Sequence, residues 1–520
     1  MIATALLLLA GTAFGRAPDP GSAAARFDIL EYRVLGNTLL GTRTLERAVY
    51  PHLGPDRSFS DVQAARAALE KAYHDAGYST VYVDIPEQTV GSGVIRLRVT
   101  EGRLDRVHVI GARYFYDRRL VAALPALKQG TSPYFPALQK ELVHLNQLSP
   151  DLAVAPILKP GPLPATVDVE LKVKDSLPLH GNVEVNDRYT ADTTHTRLTA
   201  NLSYDNLFQR YQTLSLQYQT APANSRDARV LAATYLAPIP DWHSTVALFA
   251  VKTDSDVATV GTLAVLGKGR IYGGRYIMQL PRQGHYYPTL TFGADFKDFD
   301  ESVLLTAGGG VDTPIRYMNW SIVYGGSFPN PRRPTSFTIG ANFGVRGLVN
   351  DAVQFESKRA LSNPDYVYWH ADVTHTEPLP YGAGLLFRAA GQYAVSPLID
   401  NEQFAIGGVD TVRGYLEAEA LGDMGIAGTV ELHTPSARSL FGVHPREAYA
   451  YLFYDAGVVS LIDALPSQAA RTDLQGFGLG LRIAGFDGID AALDWAWPRI
   501  GSAYERPERS RIHFHFRYGF

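Results

Sequence analysis

Cysteine is absent from this 520-residue chain. Its absence excludes disulfide scaffolds, thiolate nucleophiles, cysteine-ligated zinc and iron–sulfur clusters. A charge excess is lacking too: 48 Lys and Arg stand against 52 Asp and Glu, a net of -4. Without a basic surplus or a polybasic tail, a nucleic-acid partner is not expected. No GxSxG, HExxH or Walker A pattern occurs, so nothing points to a hydrolase, a zinc peptidase or a nucleotide-driven motor. The chain therefore reads as a non-enzyme without cofactor or nucleotide. GFGLG (476–480) is glycine-rich, but no helix follows it, so it reads as a strand and not a phosphate loop. His513 and His515 share a strand face, yet two ligands do not make a metal site, and no metal is expected.

Long apolar runs are almost missing. The one run, MIATALLLLAGTAFG (1–15), is too short to cross a bilayer as a helix. It ends in the small residues Ala13 and Gly15 ahead of Arg16, and reads as a secretory signal although no Lys or Arg precedes it.

What the chain has is glycine (47), tyrosine (29) and phenylalanine (23), a mixture suited to β structure in contact with something apolar. Its length calls for more than one domain. Residues 27–102 and 103–175 read as one unit written twice. Each copy opens with a strand, FDILEYRVLGN or LDRVHVIGA, which runs into a glycine turn at Gly36 or Gly111. A short helix and a longer amphipathic one follow, then two strands. In the first copy the long helix is SDVQAARAALEKAYHDAG, capped by Ser60 or Asp61, stopped by Gly77, with Val62, Ala65, Leu69 and Tyr73 as its buried stripe. The β-α-α-β-β order describes a small α+β domain.

From residue 176 to the end, helix periodicity gives way to segments of about 10 residues that alternate apolar and polar, long enough to cross a hydrocarbon layer when tilted. TLTFGADFK sets Leu290, Phe292, Ala294 and Phe296 against Thr291, Gly293, Asp295 and Lys297. FTIGANFGVR sets Phe337, Ile339, Ala341, Phe343 and Val345 on one face. GFGLGLRI and IDAALDWAW put Arg482 and Asp494 mid-strand on the polar face, as a wet lumen requires. There are about sixteen such segments, an even number. The last, RIHFHFRYGF, places Ile512, Phe514, Phe516, Tyr518 and Phe520 on one side and ends on the aromatic itself. A closed barrel must pair its last strand with its first, so its terminus cannot fray. The fold class is thus a membrane β-barrel of about sixteen antiparallel strands preceded by two small α+β domains.

Two stretches carry a family resemblance. AGYSTVYVDIPEQTVGSGVIRLRVTEG (76–102) resembles the POTRA domain of the ShlB/FhaC type through Gly77-Tyr78, Pro86 with Gln88, and Glu101-Gly102. GGVDTVRGYLEAEALGD lies in the long connection (about 396–423) between roughly the eleventh and twelfth strands. Its Val412-Arg413-Gly414-Tyr415 resembles the [VI]RG[YF] signature of the superfamily joining two-partner secretion transporters (TpsB) to barrel-assembly proteins. There the loop folds into the lumen and its Arg pairs with wall carboxylates. LFYDAG (452–457) resembles the family's aromatic-x-D-x-G strand and implies Asp455 as the partner; TVELHTP (429–435) implies Glu431 as a second. Alternation agrees on orientation: with Ile426, Val430 and Leu432 outward Glu431 faces the lumen, and with Leu452, Tyr454 and Ala456 outward so does Asp455. Tyr518-x-Phe520 resembles the C-terminal signal read by the barrel-assembly machinery.

The resemblance implies an outer-membrane transporter of two-partner (type Vb) secretion. Its POTRA domains would sit in the periplasm and receive an unfolded exoprotein, and the barrel, a monomer in outer-membrane lipid, would conduct it. The short stretch between Arg16 and Phe27 leaves little room for the family's plug helix, so closure would fall to the loop. Two alternatives stay open: an insertase of the barrel-assembly branch, whose members usually carry more POTRA units, and a passive porin.

Overall fold

The computed structural model describes residues 26–520 apart from 192, 255–256, 261–262, 301, 306–308, 331, 438–445, 503–505 and 507–508. The signal-segment reading of residues 1–15 lies outside the described residues. The chain divides into two compact units between Leu177 and Pro178.

The first unit holds both α+β repeats. In the first, Glu31–Leu35 runs parallel to the central strand Val94–Glu101, whose other side takes Val81–Asp84 antiparallel. In the second, Arg103–Ile110 runs parallel to Thr166–Asp175, and Leu152–Pro160 is antiparallel on the far side. Helices Thr42–Val49 and Phe59–Asp75 serve the first sheet, and Asp117–Ala122 and Phe135–Gln147 the second. The two copies share their fastenings. Gly36 (φ 88°) and Gly111 (φ 91°) are left-handed, and an added Cβ would lie 2.4 Å from Val99 O in one and 2.3 Å from Val173 O in the other. The central strands both end in a carboxylate that collects the turn's backbone N–H groups. Glu101 accepts from Thr38 N at 2.6 Å and Leu39 N at 3.0 Å; Asp175 accepts from Arg113 N at 2.8 Å and Tyr114 N at 2.7 Å.

Helix Phe59–Asp75 buries Val62, Ala65, Leu69 and Tyr73, the stripe read from its spacing. Its cap differs from the expected Ser60 or Asp61. Ser58 is the N-cap, and the Asp61 carboxylate accepts from Ser58 N at 2.9 Å and Ser58 Oγ at 2.8 Å. The capping box starts the helix earlier than the apolar pattern alone shows.

The second unit is a closed antiparallel barrel. Its strands, first to eighth, are Leu179–Asn186, Arg197–Leu207, Gln212–Thr220, Arg229–Ile239, Ser244–Thr253, Gly269–Gln279, Tyr287–Phe299 and Ile315–Phe328. The ninth to sixteenth are Thr335–Phe343, Val367–Pro378, Gly384–Ala394, Met424–His433, Glu447–Ser460, Arg471–Phe486, Ile489–Pro498 and Arg511–Gly519. Each pairs with its sequence neighbour, and the last pairs with the first from His515↔Asn186 to Gly519↔Asn182. Phe520 continues that ladder: its N–H donates to Gly181 O at 2.9 Å and its carbonyl accepts from Gly181 N at 3.1 Å. Its ring lies over Gly181, where an added Cβ would come within 2.4 Å of Cζ. Val345 falls outside the ninth strand, which stops at Phe343; the Gly344 backbone then passes Pro364 O so closely that an added Cβ would lie 2.2 Å away.

Leu216, Phe292, Ile339, Leu452, Leu481, Trp495 and Ile512 are all exposed on the outer face, where acyl chains replace water. Part of the interior is occupied by connections between the strands. Helix Ala352–Lys358, from the connection after the ninth strand, packs Phe355 against Phe299, Tyr317, Tyr366, Leu398 and Ile399 in one buried cluster.

Candidate functional site

Residues 395–423 join the eleventh and twelfth strands. Phe404–Ile406 and Ala420–Gly422 pair antiparallel, so the loop is a hairpin with Val412-Arg413-Gly414-Tyr415 at its tip. Val412 and Tyr415 are fully buried with Ile406, Ala427, Val459 and Leu474. The Tyr415 hydroxyl donates to carbonyl oxygens and lies 2.9 Å from that of Gln475 and 2.7 Å from that of Ile500. Apolar burial and backbone pairing together carry the tip to the inner wall.

There the Arg413 side chain, 4% exposed, meets the carboxylates. Nε donates to Asp455 Oδ2 at 2.7 Å and Nη2 to Oδ1 at 2.8 Å, a bidentate fork. Its backbone N–H donates to the same carboxylate at 3.1 Å. Nη1 donates to Glu431 Oε1 at 2.7 Å and lies 3.6 Å from Asp494 Oδ1. The guanidinium carbon sits 3.5 Å from the Phe453 ring centroid, a stacked cation–π contact. Burial works against the charged form, but the hydrogen bond and charge of Asp455, with Glu431 and Asp494, outweigh it and hold Arg413 above its ordinary pKa.

Gly414 is left-handed (φ 97°), and an added Cβ would lie 3.0 Å from Pro498 N. Its N–H donates to His513 Nε2 at 3.1 Å. The wall has made room as well: a Cβ at Gly476 would fall 2.0 Å from Arg413 O.

Charged side chains tie the loop at other places as well. Lys297 pairs with Glu402, which also accepts from Tyr317 at 2.6 Å and Tyr368 at 2.8 Å. Arg359 Nη2 donates to Asp423 Oδ2 at 2.8 Å, and Asp423 also takes Leu398 N at 2.9 Å and Ile462 N at 2.7 Å. Arg188 Nη2 donates to Asp410 Oδ1 at 3.1 Å.

The structure thus brings Arg413, Gly414, Tyr415, Asp455 and Glu431 into one cluster. It adds Asp494, Phe453 and His513, which the sequence reading had not assigned to it. Alternation already turned Asp494 and Phe453 inward; only strand register places them beside Arg413. In the sequence His513 is marked only by sharing a strand face with His515, a pair too few for a metal site.

The α+β motif residues do not form one site. Gly77 (φ 95°) and Tyr78 sit at the joint between the repeats: Gly77 O accepts from Phe135 N at 3.0 Å, and the Tyr78 and Tyr134 rings are 5.4 Å apart. Pro86 lies just past Val81–Asp84 and cannot donate to a ladder. Gln88 takes over there, donating to Arg96 O at 2.9 Å and accepting from Arg96 N at 2.7 Å. Glu101 holds the glycine turn, and Gly102 passes so close to Thr80 O that an added Cβ would lie 2.6 Å away. Tyr518, half exposed on the outer face, pairs with Val183 across the closure.

Known proteins resemble this chain in sequence and in fold. The family model for haemolysin secretion/activation protein ShlB/FhaC/HecB matches residues 166–483, and that for the ShlB-type POTRA domain matches 27–102. The outer membrane transporter CdiB of Dickeya dadantii is 24% identical over 426 residues, 77% of this chain and 71% of its own. The structure of CdiB from Escherichia coli aligns with a TM-score of 0.58 at 19% identity, over 98% of this chain and 93% of that one. BamA from Haemophilus ducreyi lacking POTRA domains 1–3 aligns at 0.59 and 14%, over 95% and 100%. At those identities the two structures show a common fold. The family model takes in most of the barrel, the hairpin with Arg413, and Asp455 and Glu431 on the wall, and the chain belongs to the haemolysin secretion/activation family ShlB/FhaC/HecB.

Proposed function

We propose that this protein is the outer-membrane transporter of a two-partner secretion system, with its two POTRA repeats in the periplasm and a secreted exoprotein as client. The repeats receive the client unfolded. The outer edges of both sheets, Glu31–Leu35 and Val81–Asp84 in one, Arg103–Ile110 and Leu152–Pro160 in the other, can each take an added strand through backbone bonds. The barrel conducts the client, the Arg413 hairpin closes the lumen between transport events, and folding of the client outside supplies the driving force. The protein acts as a monomer and not as an enzyme. The barrel-assembly machinery inserts it into outer-membrane lipid by way of Tyr518-x-Phe520.

The buried bidentate Arg413–Asp455 pair inside a closed barrel is the observation that carries this reading. The test is export of an exoprotein client. Export should stop in a deletion strain, return with the parent protein and stay low with Arg413→Ala at equal barrel abundance. The BamA-like fold favours a second reading, an insertase for other barrels. Loss of several outer-membrane proteins, with the exoprotein still exported, would establish that reading instead.

A further inference from the structure

His513 is buried on the sixteenth strand, 3% exposed, between two partners of opposite demand. Its Nδ1 lies 2.9 Å from Asp187 Oδ2 and its Nε2 lies 3.1 Å from the backbone nitrogen of Gly414. A backbone N–H can only donate, so Nε2 carries the lone pair. Nδ1 then carries the proton and donates it to Asp187. A ring protonated on both nitrogens cannot make the Gly414 bond. Asp187 is fixed in turn: its Oδ1 accepts from Phe514 N at 2.8 Å, and its own N–H donates to Phe514 O at 3.3 Å. Asp187 follows the first strand and His513 lies on the last, so this chain of bonds crosses the barrel closure and ends on the loop tip. Arg413 and Gly414 thus each hand their backbone N–H to a wall side chain, Asp455 for one and His513 for the other.

We infer that His513 is a positioning residue for the lumen hairpin, held by Asp187 as the neutral Nδ1–H tautomer so that Nε2 can accept the Gly414 N–H. Release of the hairpin is thereby coupled to the seam between the first and last strands. This rests on the reading of the Arg413 hairpin as the lumen closure. It extends that reading to a residue pair that makes no contact with the guanidinium.

The chain has no cysteine, so Val412→Cys provides a single thiol that is fully buried while the hairpin is seated. Its alkylation rate in the full-length protein in outer membranes reports unseating. His513→Gln keeps an acceptor where Nε2 stands; His513→Asn keeps a donor toward Asp187 but cannot reach Gly414. In the Val412→Cys background, Asn should speed alkylation about tenfold, the scale of one lost buried hydrogen bond, and Gln should stay close to the parent. Equal acceleration by Gln and Asn, or none by either, overturns the inference. Arg413→Ala is the separate control: if it fails to speed alkylation, the hairpin reading itself falls. Should the Asn variant not insert, NMR of the full-length protein with isotope-labelled histidine decides. The signal lost in His513→Gln should show the Nδ1–H neutral pattern, and a cationic or Nε2–H pattern overturns the assignment.

Discussion

The carbonyl oxygen of Arg413 occupies the space that a side chain at Gly476 would need, 2.0 Å from where the Cβ would stand. The barrel wall is therefore cut to the backbone of the hairpin, not only charged to suit its guanidinium. Gly476→Ala should unseat the hairpin while leaving every lock charge in place. Exoprotein export should drop to near the Arg413→Ala level, whereas heat-modified migration on gels, the sign of an intact barrel, stays unchanged. Export at the parent level would show that the wall yields at this point.

The fork between Arg413 and Asp455 predicts strong coupling. Removing one partner of a buried ion pair typically costs about 3–5 kcal/mol, because the other charge is stranded. Arg413→Ala and Asp455→Ala should each release the hairpin, and the double variant should be little worse than either alone. Arg413→Lys should rescue poorly, since an ammonium cannot form the bidentate contact or stack flat on Phe453. Losses that simply add in the double-mutant cycle would dismiss the pair as a unit.

Gly77 should matter to the first unit by geometry alone. Its φ of 95° is poor for any side chain, and an added Cβ would lie 2.7 Å from Pro136 Cδ of the second repeat. Gly77→Ala should destabilise the 26–177 unit by at least about 1 kcal/mol. It should also loosen the joint, read as a broader distance distribution between labels on the two repeats. An unchanged melting curve would contradict this account of the motif.

Acid should weaken helix Phe59–Asp75 through Asp61. The backbone and hydroxyl of Ser58, and then Arg57, hold its carboxyl below the ordinary value of 3.8. A pKa lowered in the folded state contributes stability above the unfolded value, and that contribution is lost as pH falls through the folded one. Asp61→Asn should therefore lower the melting temperature of the 26–177 unit near neutral pH. The gap to the parent should close progressively below pH 3.8, and a gap constant across that range would rule out the carboxylate as its source.

Much of the molecule was legible because its controlling rule is local. In a strand, direction follows parity, so Glu431, Asp455 and Asp494 could be turned inward and Leu452, Trp495 and Tyr518 outward from spacing alone. The repeat of Gly36 in Gly111 and the buried stripe on helix Phe59–Asp75 are likewise short-range patterns. What the chain order cannot express is register around a closed sheet. The bonds of the lock join Arg413 to residues 18 and 42 positions away, and Gly414 to one 99 positions away. Only the accumulated stagger of the strands decides which inward side chains share a level. Pairing of the last two strands sets Asp494 opposite His513, and closure brings the first strand beside the last, so that Asp187 can fix a histidine that sequence alone gave no partner. Sequence thus determined the class of fold, the facing of each strand and the arginine at the loop tip. Tertiary structure chose the partners that hold it, because a short-range alternation fixes direction while depth in the lumen is a property of the whole ring.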